Sequence, residues 1–170
     1  MPVADMYPLT LQIHTDHVWH DAMQLTFEQP TLGLEGTCSY GYKQAYLVDA
    51  LDVMGSRLSN AVSATLPLGW DLWRLPHAPS FLFDILPAGA ARRSLLKRLG
   101  GERPGDLDLD LFLLSRCTPA PVGNLRIKEA ADAIANSPML GFSREEVISR
   151  DSRFLEYAYE QGAAIGGATG

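Results

Sequence analysis

A glycine-rich segment at 162–170 is the part of this sequence whose composition best suits ligand binding, and it consists of Gly162, Ala163, Ala164, Ile165, Gly166, Gly167, Ala168, Thr169 and Gly170. Glycines adopt positive φ angles and let the backbone approach a ligand closely, so successive N–H groups can point at a phosphate. The segment is not a P-loop, because the spacing G-x-x-x-x-G-K-[ST] is not met. Since the same composition is typical of a flexible tail, the segment alone is weak evidence for a phosphate site.

Three histidines, His14, His17 and His20, have a spacing that occurs in metal sites. On an extended strand, however, residues three apart point to opposite faces, and the alternation of apolar and polar residues around them favours a strand. We therefore expect surface or turn histidines and no metal site. Hydrolase motifs are also missing, since the sequence has no G-x-S-x-G elbow, no H-E-x-x-H motif and no Cys–His couple.

A basic cluster lies in the second half of the chain and consists of Arg92, Arg93, Lys97 and Arg98. Such a cluster usually forms a solvated helix face. Arg92 differs from the others because helical spacing places it among the leucines of the same segment, where an unpaired guanidinium would be costly. We therefore predict that Arg92 is a structural anchor paired with an acidic residue, either Asp84 or Asp106.

The composition is that of a globular protein with one domain, because 46% of the 170 residues are hydrophobic and 20% are charged. The net charge of −6 argues against direct binding to nucleic acid, so any DNA contact is expected through a partner. Cys38 and Cys117 are expected to be free thiols. The sequence has neither a secretion signal at its N-terminus nor an apolar run of about 18 residues, so we expect a cytoplasmic protein without membrane contact.

The first third of the chain has the pattern of an antiparallel sheet. Apolar and polar residues alternate over 9–15, and strand-forming residues resume over 17–27, which predicts a hairpin with a turn near Asp16. Tyrosines and valine over 38–48 predict a third strand. The stretch 49–79 has poor periodicity, so it is expected to be irregular with room for one short strand.

The second half has helical patterns. A helix is predicted over 88–99, with Pro87 in its first turn and glycines after its end. The segment 106–114 fits a strand by its alternation and a helix by its leucine spacing, and the sequence leaves both open. An extended piece at 124–127 and an alanine-rich helix at 129–136 follow.

The clearest helix signal comes last. Residues 143–146 form a capping box, Phe142 and Val147 are spaced as a hydrophobic staple, and apolar residues then recur at helical spacing, which predicts a helix over 144–161. Together these patterns predict an α+β fold, with an N-terminal antiparallel sheet followed by packed helices.

Three stretches of the chain resemble one known family. They are Ser-Phe-Leu-Phe-Asp-Ile-Leu-Pro-Ala-Gly-Ala-Ala-Arg at 80–92, the acidic and leucine-rich run at 108–114, and Pro-Val-Gly-Asn-Leu-Arg-Ile at 121–127. Together they resemble the N-terminal region of HipA-like serine/threonine kinases, the toxins of bacterial type II toxin-antitoxin pairs. The resemblance covers about 66–170, and the earlier strands fit it only in outline.

The resemblance implies a role for the glycine-rich segment. Residues 164–168 are similar to the start of the family's ATP loop, S-[IV]-[GA]-G-A, so Ala164, Ile165, Gly166, Gly167, Ala168, Thr169 and Gly170 would bind nucleotide in a complete kinase. Ala164 stands where the family has a serine that it can autophosphorylate, which puts that regulation in doubt. Ala88 replaces the acidic residue common between the family's proline and glycine.

The resemblance also implies a division of the chain and its partners. Residues 1–162 would be the N-terminal subdomain and 163–170 the start of the nucleotide loop, whereas the ATP-anchoring lysine and the catalytic aspartates belong to a later lobe. ATP and Mg²⁺ would bind only in the complete kinase, and this chain alone would have no catalytic residue. Its partner would be that C-terminal lobe or an antitoxin, with DNA bound only through the antitoxin. The alternative is a stand-alone interaction protein that binds and inhibits a separate HipA-like kinase.

Overall fold

Five antiparallel strands form one sheet in the order β4-β3-β2-β1-β5. The computed structural model describes residues 6–53, 60–99, 105–117, 123–136, 142–155 and 158. The strands are β1 Tyr7–Thr15, β2 Val18–Phe27, β3 Cys38–Tyr42, β4 Leu72–Leu75 and β5 Leu125–Ile127. The helices are α1 Gln44–Asp49, α2 Phe81–Ile85, α3 Gly89–Leu99, α4 Leu109–Arg116, α5 Lys128–Ala135 and α6 Arg144–Ile148, with 3₁₀ segments at Pro30–Glu35 and Leu51–Val53. The fold is therefore α+β, as the sequence predicts.

The hairpin of β1 and β2 is confirmed. Thr15 pairs with Val18, and the two residues between them, Asp16 and His17, have φ angles of 50° and 64°. Two-residue turns with positive φ at both positions match the twist of antiparallel strands. Apolar and polar residues alternate along β1 and therefore point to opposite faces of the sheet. Its leucines and isoleucine are buried in the core, and its polar residues lie on the other face.

The predicted third strand is half correct. β3 ends at Tyr42, and the chain turns at Lys43 into α1. The reason is a change of period: Tyr46 is four residues after Tyr42, its ring stacks on that of Tyr42 at 6.2 Å, and Tyr46 and Leu47 both enter the core. Helical spacing therefore buries this apolar run better than a continued strand would.

The stretch 49–79, which the sequence predicts to be irregular with room for one short strand, contains the strand β4. Before it, the loop is fixed by the buried Tyr42 hydroxyl, which accepts a hydrogen bond from Val62 N at 3.0 Å and donates one to Leu66 O at 2.6 Å. Tyr46 likewise donates to Asn60 O at 2.6 Å. Two tyrosines thus hold the loop against the core without a regular element.

Two helix boundaries differ from the prediction. Pro87 is not in a helical first turn, because Leu86 before it is extended, as residues preceding proline prefer, and α3 begins only at Gly89. The capping box at Ser143 is confirmed, and α6 ends at Ile148 because the chain breaks at Arg150, which has a φ of 53°. Residues 152–155 and 158 are helical again, so the predicted helix over 144–161 is interrupted, and 156–157 and 159–161 lie outside the described residues. The segment 106–114, for which the sequence left strand and helix open, contains the helix α4. The extended piece predicted at 124–127 and the helix predicted at 129–136 are confirmed as β5 and α5.

The connection between β2 and β3 packs directly on the N-terminus of α4. Gly33 has a φ of 56°, and a Cβ on it would lie 2.1 Å from Oδ1 of Asp108. That same oxygen caps α4 by accepting hydrogen bonds from Asp110 N and Leu111 N, and Asp108 N donates to Pro30 O at 2.9 Å. Only glycine fits this position, because it has both the permitted φ and the missing side chain.

We therefore expect Gly33→Ala to destabilise the protein by about 2 kcal/mol or more, through backbone strain and the displaced cap. Urea unfolding measures the loss, and Gly105→Ala, at an exposed glycine with open space around it, is the control. Equal unfolding midpoints for the two variants would contradict the close packing of Gly33 on Asp108.

Candidate functional site

The first of the three stretches that resemble the HipA-like family, 80–92, contains a short helix, a turn and the start of a second helix. Leu82 and Ile85 of α2 are buried, the chain is extended at Leu86, and α3 begins at Gly89 with a φ of 53°. This arrangement directs Arg92, in the second turn of α3, toward α4. The motif at 80–92 therefore serves to position one charged side chain.

Arg92 forms an ion pair with Asp110 in the first turn of α4, with 2.6 Å between Nη2 and Oδ1. The predicted partners, Asp84 and Asp106, were wrong, because α4 is a helix and its first turn presents Asp110 instead. Oδ1 of Asp110 is shielded from water and accepts no well-aligned hydrogen bond, so the charge of Arg92 is what compensates its burial. The side chains are 31% and 35% exposed, so solvent weakens the pair.

Removal of this guanidinium tests the anchor. We expect Arg92→Ala to lower the free energy of unfolding by about 1–2 kcal/mol, less than the loss for a fully buried pair, because both side chains keep some contact with water. Arg93→Ala, at an exposed neighbour on the same helix, is the matched control. If both variants unfold at the same urea concentration, Arg92 does not anchor α3.

A second charged cluster lies around Asp21 of β2, on the face of the sheet opposite the hydrophobic core, which we call the open face. Its carboxylate pairs with Lys128 at 2.9 Å and with Lys43 at 3.5 Å, and it accepts a hydrogen bond from Gln12 Nε2 at 2.7 Å. Partial burial opposes ionisation of Asp21, but the hydrogen bonds and positive charges outweigh it, so the pKa of this carboxyl is lowered. Sequence reasoning missed the cluster because its lysines are distant in sequence from Asp21.

The same face holds Arg126 of β5 in a fixed position. Its Nε donates to Gln12 Oε1 at 2.7 Å, and its guanidinium carbon lies 4.1 Å from the centre of the Trp19 ring. His14 packs on the same ring, with 4.9 Å between centroids, whereas His20 lies near Tyr46. The strand alternation at 9–15 could have indicated that Gln12 and His14 share a face, but not that Arg126 joins them.

The pKa shift of Asp21 predicts a pH dependence. Because the pKa is lower in the folded state than the value near 3.9 for an unfolded chain, the pairing stabilises the fold above that pH and is lost as pH falls through the folded pKa. We expect Asp21→Asn to cost about 1 kcal/mol at pH 7 and much less at pH 3. Urea unfolding at both pH values checks this, and a pH-independent difference would contradict it.

Among the described residues, no group of three or more His, Cys, Asp or Glu side chains could hold a metal ion. Lys43 and Lys128 both pair with Asp21, and Lys97 is exposed on α3. The expected nucleotide-binding residues, Ala164, Ile165, Gly166, Gly167, Ala168, Thr169 and Gly170, lie outside the described residues.

The cysteines offer no reactive site in this part of the chain. Both Cys38 and Cys117 are buried. Burial raises the pKa of the Cys38 thiol to about 11, so it stays protonated at neutral pH and is a poor nucleophile.

Comparison of this chain with models of protein families, with curated proteins and with solved structures finds no match in any of the three. Among the described residues, no helix has the length and apolar character needed to cross a membrane.

Proposed function

We propose that this chain is the N-terminal portion of a cytoplasmic HipA-like serine/threonine kinase, where it shapes one side of the nucleotide cleft and docks partners. The observation that carries the proposal is the Arg92–Asp110 ion pair, because it joins two of the three stretches that resemble the family, 80–92 and 108–114. Stretches that are distant in sequence and contact each other are more informative than either stretch alone.

The third stretch supports the same proposal. Its described part, 123–127, contains β5, an edge strand that pairs with β1, and α5 directly after it packs against α4. All three stretches thus belong to one packed unit with α4 at its centre. In the proposed kinase this unit is a scaffold, and its motif residues position helices rather than substrate.

The proposal makes the later lobe responsible for phosphoryl transfer. That reaction depends on charged groups and Mg²⁺ that position and neutralise the phosphates. The described lysines of the sheet face are already paired with Asp21, so the proposal assigns the nucleotide contacts to 164–170 together with the later lobe. The net charge of −6 is consistent with DNA contact through an antitoxin instead of through this chain.

The test compares purified 1–170 protein with the protein encoded by the reading frame as it continues past codon 170. We expect no ATP turnover and no autophosphorylation from 1–170, and both activities from the longer protein. Hydrogen exchange at 163–170 should be unchanged by Mg-ATP in the short chain and slower in the long chain, because only there would phosphate contacts offset an ordering cost of about 1–2 kcal/mol per residue.

Two results would overturn the proposal. Strong nucleotide-induced protection or ATP turnover in 1–170 would show that the short chain holds a complete phosphate site. A stop codon after Gly170, with the purified chain binding and inhibiting a separate HipA-like kinase, would replace the proposal by the stand-alone inhibitor.

A further inference from the structure

An open edge and a groove lie side by side at the β4 end of the sheet. β4 is the outermost strand, and antiparallel pairing with β3 leaves alternate residues of β4 with outward backbone N–H and C=O groups. No other described segment forms backbone hydrogen bonds with β4. The edge is therefore able to accept a further strand.

The side chains of this edge make it unusual. Leu72 is 76% exposed and Trp70 is 56% exposed, although edge strands are commonly protected by free charges. The one charge inside β4 is Arg74, and both oxygens of Glu28 hold it away from the edge, with Nε–Oε1 and Nη2–Oε2 distances of 2.6 Å. Arg74 is therefore paired with Glu28 and is not a free charge that would protect the edge.

The groove next to this edge has a volume of about 360 Å³ and lies on the open face of the sheet. Gly41 leaves space in its floor, where a Cβ would lie 3.3 Å from Cδ1 of Leu72 and 3.2 Å from Asp71 O. Trp70, Asp71 and Leu72 form one wall. The groove thus combines apolar surface with a carboxylate.

Asp71 gives the groove its charge. Its carboxylate is exposed and pairs with no cation among the described residues, whereas Glu28, the other acidic group of the groove, is occupied by Arg74. A ring such as that of Trp70 attracts cations over its face. A lysine or arginine side chain would place its aliphatic stem over Leu72 and its charge between Asp71 and Trp70.

We propose that the β4 edge binds an extended basic segment of a partner protein by strand addition, with one lysine or arginine side chain in the groove. Backbone hydrogen bonds to β4 provide the affinity, and Asp71 with Trp70 selects the basic side chain. The net charge of −6 further favours a basic partner. The binding site lies outside the three stretches that carry the kinase proposal, 80–92, 108–114 and 121–127, and does not depend on that function.

The probes are blocked seven-residue peptides of alternating threonine and valine with lysine, glutamine or glutamate at the centre, titrated into ¹⁵N-labelled 1–170 protein. We expect amide chemical-shift changes centred on residues 39–41 and 70–75. The lysine peptide should bind about fivefold to tenfold more tightly than the glutamine peptide, and the glutamate peptide should bind most weakly. N-methylation of alternate peptide bonds on the edge-facing side should abolish binding, because it removes the donors that strand addition requires.

Variants separate charge recognition from backbone pairing. Asp71→Asn should remove the preference for lysine over glutamine and leave the affinity for the glutamine peptide unchanged, whereas Asp52→Asn, at an exposed aspartate in the 3₁₀ segment Leu51–Val53, should keep the preference. Equal affinities for lysine and glutamate peptides, unimpaired binding of the N-methylated peptide, or no binding at millimolar peptide would overturn the proposal. Dimerisation of the free protein that Leu72→Lys abolishes would assign the edge to a second copy, which also overturns it.

Discussion

The contact between Gly33 and Asp108 is the constraint on which the rest of the structure depends. A Cβ on Gly33 would collide with the side chain that caps α4, so the connection between β2 and β3 reaches the helix only because the side chain is missing. The close approach fixes where α4 begins. From that start the helix buries Leu111, Leu113 and Leu114 against the apolar face of the sheet, and its first turn holds Asp110 within reach of Arg92. Core packing and the ion pair are therefore consequences of one capped helix terminus.

The open face of the sheet has two different ends. Toward the β5 end, four charged side chains have partners: Asp21 is shared by Lys43 and Lys128, and Arg126 contacts Gln12 and Trp19. Such a network holds β5, a strand of only three residues, in the sheet. At the β4 end Asp71 has no cation among the described residues and the backbone edge is open. The contrast fits a face on which one end maintains the fold and the other has the binding role that we propose for the β4 edge.

The sequence predicted those elements whose signal is local. The hairpin, β5, α5 and the capping box follow from alternation, helical spacing or a four-residue motif, all within one short window. The segment at 106–114 stayed ambiguous because alternating aspartate and leucine fits both periods, and burial of consecutive residues from Leu111 onward decided for a helix. Because Asp110 is presented to Arg92 by the first turn of this helix, the partner of Arg92 could not be predicted while the segment was ambiguous. The Asp21 cluster had no local signal at all, since Lys128 is 107 residues away.

The charges of the described residues also explain why the proposed role is that of a scaffold. Catalysis of phosphoryl transfer requires cations that are held in place and remain available to phosphate oxygens. Arg92 pairs with Asp110, and Lys43 and Lys128 share the single carboxylate of Asp21, so all three cations are held in place by carboxylates that a phosphate would have to displace. Lys97 is exposed on α3 and pairs with no carboxylate among the described residues. A side chain cannot both hold its structural ion pair and bind phosphate oxygens, because release from its carboxylate would weaken the helix or strand that the pair holds. These ion pairs therefore position helices and strands, and under the proposed function the phosphate-binding charges come from groups outside the pairs.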